Sequence, residues 1–231
     1  GALLLVAGAG LLVGLIMPHL SREWEAGEQH LVGRTTNLSV KLTGLVMLGI
    51  GICIMLFAPL LFDVVLQGKY SDGLGVLPWT LTGCVWFALH LVAQNYLWCA
   101  ERARLATVPL AIGLVTNIGL NLVLLPLWGL LGAVVATACS TAICLAALLL
   151  LSRKFGMATD RGTWIVVASP LALTGSLAVA GGVWLLLIVA CFKTYLLLDT
   201  QERDQLRRAT LDLVAKVKPF FQRPSRKVVQ V

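Results

Sequence analysis

Three strongly hydrogen-bonding side chains stand close together in an apolar stretch of this sequence: His90, Gln94 and Asn95. His90 and Gln94 are four residues apart and therefore share one face of a helix. Amide and imidazole groups are costly in hydrocarbon unless they find partners or line a wet cavity. The pattern predicts either a polar patch that contacts a substrate or a clamp that hydrogen-bonds a neighbouring helix. We expect no metal or catalytic role for His90, because the stretch 74–97 contains no carboxylate.

Asn117 and Asn121 form a second pair at the same four-residue spacing. They could face the same cavity, or they could bond backbone carbonyls freed near Pro109 or Pro126. We expect a structural role for Asn121, and both roles stay open for Asn117. The candidates for contact with a polar substrate are therefore His90, Gln94, Asn95 and Asn117.

A run of small residues at three- to four-residue spacing follows the Pro126 turn. Such a seam lets two helix backbones approach closely, and it predicts helix packing rather than a binding site. Its members are Gly129, Gly132, Ala133, Ala136, Thr137 and Ser140.

The cysteines show no metal-ligand spacing, and all of them lie within or at the ends of apolar runs. Buried thiols are the expected state of such residues. We expect no metal site, no cofactor and no catalytic residue. The six cysteines are Cys53, Cys84, Cys99, Cys139, Cys144 and Cys191.

The composition is far too apolar for a protein surface in water. Hydrophobic residues make up 58% of the 231 residues, charged residues make up 13%, and the mean hydropathy is +0.90. Ordinary soluble domains are about 25% charged, and a membrane helix needs about 20 apolar residues. The apolar runs lack strand-like alternation, so we predict an all-α integral membrane protein, a polytopic helical bundle. The runs are 2–17, 42–62, 74–97, 105–125, 130–151 and 164–198.

The last apolar run, residues 164–198, is long for one span and short for two. Gly181 and Gly182 form a credible tight turn near its middle. A hairpin folded there gives a bundle of about seven spans.

Charge placement predicts the threading of the chain. The net charge is +7, but basic loops alternate with neutral or acidic ones, which is the positive-inside pattern of a membrane protein and not a nucleic-acid site. We expect a multi-pass protein of the inner (cytoplasmic) membrane, with residue 1 outside and the C-terminus cytoplasmic. With the hairpin, all Lys and Arg residues except Lys69 face the cytoplasm.

The chain divides into a transmembrane bundle, residues 1–198, and a basic tail, residues 199–231. The tail is either an amphipathic helix on anionic lipid or a solvated charged segment. An apolar run begins at Gly1 without a signal-peptide pattern. We therefore expect a fragment whose upstream half is missing.

Several motifs together resemble the polysaccharide transporter branch of the multidrug/oligosaccharidyl-lipid/polysaccharide exporter superfamily, the flippases of lipid-linked, O-antigen-type oligosaccharides. The resemblance covers roughly residues 1–218 and is one of position and hydropathy. The motifs that carry it are residues 18–22, 66–70, 117–121, 125–137 and 201–203.

The resemblance implies two six-helix lobes around a central cavity. This chain would be the second lobe without its first helix, followed by an extra C-terminal pair, which also favours the hairpin. The implied activity is flipping of an undecaprenyl-phosphate-type lipid-linked saccharide by alternating access. The implied partners are that saccharide, membrane lipids and the missing N-terminal lobe. The family's charged cavity residues have no match here, and none is carried over.

Two other functions fit a membrane bundle. One is a cation-coupled multidrug or small-molecule exporter of the same superfamily. The other is a membrane transferase acting on lipid-linked sugars, which would need an acid or base at the membrane surface. The cluster of Glu23, Glu25, Glu28 and His30 offers such groups. We expect a solvated loop there, and no enzyme.

Overall fold

The computed structural model describes residues 2–60, 62, 72–193, 197 and 202. The predicted basic tail beyond Glu202 and the 66–70 motif lie outside the described residues. Contacts divide the chain into two units, residues 1–197 and 198–231. Glu202 is the single described residue of the second unit, so the fold that follows is that of the first.

Every regular element among the described residues is helical. Three segments are long and apolar enough to cross a membrane, namely Gln29–Leu60, Gly73–Cys99 and Ala103–Lys154. The predicted all-α membrane bundle is therefore confirmed. The helices are α1 (Ala2–Glu25), α2 (Gln29–Leu60), α3 (Asp72–Ala93), α4 (Asn95–Cys99), α5 (Thr107–Lys154), α6 (Arg161–Ala168) and α7 (Leu177–Lys193), with 3-10 turns at Ala103–Ala106 and Ser169–Thr174.

Helix α5 consists of two antiparallel arms joined at Gly129. The backbone of Gly129 has φ 55° and ψ −131°, a conformation that suits glycine and reverses the chain. The first arm, residues 107–128, returns along the second arm, residues 130–154. Gly113 lies against Cys144, and a Cβ placed on Gly132 would meet the carbonyl oxygen of Leu124. The two apolar runs are thus joined by the turn that the sequence predicts.

Helices α6 and α7 also form an antiparallel pair, but the turn differs from the predicted one. Along α2, Val166 lies against Gly44 and Leu173 against Gly51, after which the indole N–H of Trp184 donates to the carbonyl of Leu45 at 2.9 Å. The chain therefore ascends beside α2 and returns.

The prediction of a hinge at Gly181-Gly182 is wrong, because both glycines lie inside α7. The turn falls at Gly175 and Ser176. The hydroxyl of Ser176 accepts a hydrogen bond from the backbone N–H of Val179 at 3.2 Å, which caps the start of α7. Each glycine in the helix interior costs about 1 kcal/mol, which the cap and the packing of α7 against α2 together offset.

Three connections meet at one end of the bundle, which we call the loop end: residues 26–28, 100–102 and 155–160. The Tyr96 hydroxyl donates to the carbonyl of Phe155 at 2.8 Å, and the Trp24 ring stands edge-on to Tyr96 with centroids 6.4 Å apart. Gly33 also lies close to the backbone of Gly156. The turns at Gly129 and Gly175 lie at the opposite ends of their helices. Alternate connections therefore share an end, as the charge pattern predicts.

Helix α3 lies at the centre of the bundle. Its residues Leu89 and Val92 pack in one apolar cluster with α1 and the second arm of α5, and Leu81 packs in another with α2 and α7. The first arm of α5 is peripheral and exposes much apolar surface, as expected of a helix that faces lipid. Its exposed large side chains include Val108, Leu110, Ile112, Leu114, Val115, Ile118, Leu122 and Val123.

The close approach at Gly132 predicts that an alanine substitution destabilises the protein there but not at Gly119. In Gly132→Ala the new methyl group would clash with the Leu124 carbonyl oxygen, so the arms must separate, at a cost of about 1–3 kcal/mol. Gly119 is the matched control, since nothing lies within 4 Å of its Cβ position. Gly119→Ala should leave stability unchanged or raise it by about 1 kcal/mol. Thermal unfolding in detergent measures both, and equal effects would contradict the hairpin.

Candidate functional site

His90 lies inside the bundle and faces the second arm of α5. The side chain keeps 3% of its surface exposed. Its Nδ1 atom is 3.7 Å from the Sγ atom of Cys144, and its Nε2 atom is buried without a hydrogen-bond partner. The described structure thus leaves one ring nitrogen of His90 with unused hydrogen-bonding capacity.

Gln94 and Asn95 sit where the helix is interrupted. Helix α3 ends at Ala93, Gln94 occupies a turn, and α4 begins at Asn95. Gln94 is 9% exposed and Asn95 is fully buried. Neither the oxygen nor the nitrogen of the Asn95 amide has a partner, so Asn95 does not clamp a neighbouring helix in this conformation. An unsatisfied buried amide costs about 1–3 kcal/mol, and a water or polar ligand that reached it would recover that cost.

Asn117 joins the two arms of α5. Its Nδ2 atom donates to the hydroxyl of Ser140 at 3.1 Å and lies 3.4 Å from that of Thr137. Asn121 donates to the Asn117 side-chain oxygen at 3.1 Å and to its backbone carbonyl at 2.9 Å. Asn117 therefore has the interhelical contact that Asn95 lacks, and Asn121 supports it.

The six small residues predicted to form a packing seam face two neighbours. Gly132 and Ser140 are buried against the first arm, while Ala133 and Thr137 line a groove that the second arm forms with α3. Ala136 is fully buried, and Gly129 forms the turn.

The groove between α3 and the second arm has a volume of about 380 Å³. Its hydroxyls donate to carbonyls of their own helices: Thr80 to Val76, and Thr141 to Thr137. The wall is consequently apolar. Its residues are Trp79, Thr80, Gly83, Cys84, Phe87, Ala133, Val134, Thr137, Ala138 and Thr141.

The four predicted substrate residues do not share an open cavity in the described structure. His90 and Asn117 reach the second arm one turn apart, at Cys144 and Ser140, but His90 is enclosed and Asn117 is engaged by Ser140. Asn95 is enclosed as well. Contact of all four with one ligand requires the lobe to move or to combine with further helices.

An ion pair that the sequence analysis missed ties α2 to the start of α6. Lys41, which directly precedes the predicted apolar run 42–62, is fully buried in α2, and its Nζ atom lies 2.8 Å from Oδ2 of Asp160. Asn37 donates to Oδ1 of Asp160 at 3.4 Å. The Thr163 hydroxyl is 2.5 Å from Oδ1 of Asn37 and 2.6 Å from Oδ1 of Asp160. We call Asn37, Lys41, Asp160 and Thr163 the polar clasp.

Two signals could have revealed the clasp. Asn37 and Lys41 are four residues apart, on one face of a helix. Asp160 precedes an apolar run and caps α6 by accepting from the backbone N–H of Thr163 at 3.1 Å. The predicted run 42–62 leaves Lys41 outside, but α2 begins at Gln29, thirteen residues before that run, and therefore includes Lys41.

The Asp160 carboxyl is ionised at neutral pH. Burial by itself raises its pKa, but hydrogen bonds from Lys41 and Thr163, together with the charge of Lys41, outweigh burial and hold the pKa below its usual value. The clasp is therefore a true ion pair and not a neutral hydrogen bond.

The acidic loop cluster is open to solvent except at Glu23. His19 Nε2 lies 3.2 Å from an oxygen of Glu23, while Glu25, Glu28 and His30 are exposed. Across the described residues no group of three His, Cys, Asp or Glu side chains could hold a metal ion. Cys53 is exposed, contrary to the expectation of buried thiols.

The fold and these contacts define a multi-pass α-helical membrane protein. A family model described as lipid II flippase MurJ matches residues 10–202, most of the chain. The chain therefore belongs to the MurJ lipid II flippase family, a family of lipid-linked precursor flippases. The resemblance is confirmed at that level, while the narrower O-antigen type stays a prediction. Searches of curated proteins and of solved structures gave no match.

The clasp predicts that replacing Asp160 lowers the stability of the protein more than replacing Lys41 does. Asp160→Asn keeps the helix cap but removes the carboxylate from a fully buried ammonium. We expect a loss of roughly 3 kcal/mol, the low end for breaking a buried pair, because Asp160 keeps 42% exposure. Lys41→Met should cost less, and the double variant should recover most of the loss.

Unfolding in detergent measures the three variants, with Thr174→Val as a control on an exposed hydroxyl of the same α6–α7 segment. A double variant as unstable as the sum of the single variants would contradict the coupling.

Proposed function

We propose that this protein moves a saccharide linked by diphosphate to a polyprenyl chain across the cytoplasmic membrane. The observation that carries the proposal is the match to the lipid II flippase family over residues 10–202. The match favours a lipid II-type precursor over an O-antigen-type oligosaccharide as the substrate.

The physical task explains why a helical lobe is needed. A sugar-diphosphate headgroup cannot cross about 30 Å of hydrocarbon unaided. A polar cavity between two lobes removes that barrier while the polyprenyl chain stays in lipid. Rocking one lobe against the other then opens the cavity to each side in turn.

We infer that His90, Gln94 and Asn95 contact sugar hydroxyls when the cavity opens. The unpartnered Nε2 atom of His90 and the unpartnered amide of Asn95 support this role, since both have donors or acceptors to offer. Asn117 already bonds Ser140, which makes its contribution to substrate binding the smallest of the four.

We also propose that the loop end faces the cytoplasm. Its supporting observation is the concentration of cations in the connections and on the adjoining helix ends at this end of the bundle. That placement puts the C-terminus after α7 on the cytoplasmic side as well. The cations are Arg22, Arg34, Arg102, Arg104, Arg153, Lys154 and Arg161.

We propose that the protein is a transporter and not a transferase. One carboxylate oxygen of Glu23 lies 3.2 Å from His19 Nε2 and the other is buried without a hydrogen-bond partner, while Glu25 and Glu28 are solvated. A group that activates a hydroxyl needs a defined position next to its substrate. The solvated carboxylates lack such a position.

Transport by the reconstituted protein tests the function and the site together. Vesicles that contain the full-length protein, with both lobes, and a polyprenyl-diphosphate disaccharide should move the headgroup between leaflets. Gln94→Leu and Asn95→Leu should each lower the rate about 2- to 10-fold, the effect of one lost hydrogen bond. Headgroup accessibility to an added glycosidase gives the rate.

Thr174→Val is the control, since its hydroxyl is exposed and bonds only its own helix turn at Leu171. Unchanged transport by the Gln94 and Asn95 variants at equal protein levels would remove them from the cavity. No headgroup movement by the unsubstituted protein would refute the function itself.

A further inference from the structure

Arg102 is held against an aromatic ring at the loop end. Its guanidinium carbon lies 4.2 Å from the ring centroid of Phe155. A cation–π contact of this kind covers one face of the planar guanidinium. The N–H groups around its edge stay available, and Arg102 is exposed.

Hydrogen bonds hold both residues of this cation–π contact, Phe155 and Arg102, in place. Tyr96 donates to the Phe155 carbonyl at 2.8 Å, and the Arg102 backbone N–H donates to the Leu97 carbonyl at 2.9 Å. Glu101 has φ 55°, the left-handed conformation that turns the chain back at this point. Arg102 therefore loses little further freedom when its N–H edge binds an anion.

Three further cations lie next to Arg102 or next to Phe155 along the chain. Arg104 follows it by two residues, and Arg153 and Lys154 directly precede Phe155; all three are exposed. Among the described residues, the ion pairs are His19–Glu23 and Lys41–Asp160, so these cations have no carboxylate partner. Four cations thus lie at the paired ends of the two α5 arms, and Glu101 is the acidic residue next to Arg102 in sequence.

An apolar strip begins beside the cations. Trp98, one turn before Arg102, is 41% exposed, which is typical of an aromatic side chain at the membrane–water interface. Val108, Ile112 and Val115 are exposed along one face of the first arm of α5. Cations at the interface and an apolar strip along the helix match the two ends of a phospholipid.

We propose that Arg102, Arg104, Arg153 and Lys154 bind the phosphate headgroup of an anionic phospholipid whose acyl chains lie along the first arm of α5. The site rests on the proposed cytoplasmic placement of the loop end. It is peripheral to His90 and Asn95, so the bound lipid is a resident of the bilayer and not the transported molecule.

Lipid titration of the purified protein, followed by native mass spectrometry, tests the site. Phosphatidylglycerol should bind at least about 5-fold tighter than phosphatidylcholine, because a 5-fold change corresponds to about 1 kcal/mol, the attraction of a single surface cation. Arg102→Gln should remove most of that preference. Phe155→Leu and Arg102→Lys keep the charge, and each should weaken phosphatidylglycerol binding about 2- to 5-fold through loss of the stack.

Arg161→Gln is the matched control, because Arg161 is an exposed cation outside the cluster. It should leave lipid binding unchanged. Equal losses in Arg102→Gln and Arg161→Gln, with none in Phe155→Leu, would indicate diffuse attraction and overturn the site. Unchanged melting temperatures show that each variant is folded.

A second titration separates the lipid from the substrate. A polyprenyl-diphosphate disaccharide should leave phosphatidylglycerol on the protein, and competitive displacement would assign the cluster to the substrate and overturn the proposal. Retained phosphatidylglycerol binding in a protein that moves no headgroup would refute the transport function and leave this site standing.

Discussion

The structure depends on one constraint, that a backbone in hydrocarbon must satisfy its own hydrogen bonds. Each apolar segment consequently forms a helix that crosses and returns, and alternate connections gather at the same end. The reversal at Gly129 is the tightest example, since the arms approach until Gly132 touches the Leu124 backbone. At the loop end the same rule brings Tyr96 to Phe155, although 59 residues separate them in sequence.

Within that frame, polar contacts fix how the α6–α7 pair sits on the lobe. The clasp joins it to α2 at the loop end. Farther along, the Trp86 indole donates to the Val167 carbonyl at 2.7 Å, and Thr82 donates to the Pro170 carbonyl at 3.0 Å. A buried ion pair by itself is weak evidence of stability. Together with the bonds from Trp86 and Thr82, however, it gives α6 and the 3-10 turn that follows it three separate attachments to α2 and α3.

Much of the fold could be predicted from the sequence because hydropathy and turn residues act locally. The runs, the turn before Gly129 and the shared ends of alternate loops all follow from such signals. The burial of Lys41 and its pairing with Asp160 could not be predicted. A charge beside an apolar run resembles the end of a membrane span, and the partner of Lys41 lies 119 residues away. Ser176, which caps the start of α7, is a weaker turn signal in the sequence than the pair Gly181-Gly182, so the sequence predicts the turn at the wrong place.

The candidate site was less accessible to sequence reasoning than the fold. Spacing places His90 and Gln94 on one face, but only tertiary packing decides that Asn95 lacks a partner while Asn117 finds Ser140. Sequence gives the capacity for hydrogen bonds, and the neighbouring helices decide which of them are used.

Thiol labelling from each side of the membrane tests the shared-end arrangement most directly. In a variant without native cysteines, Glu28→Cys, Glu101→Cys and Ala158→Cys are predicted to react with an impermeant reagent only from the cytoplasmic face. Trp128→Cys and Thr174→Cys, at the opposite turns, are predicted to react only from the other face. Labelling of any of the first three from the outside would contradict the account.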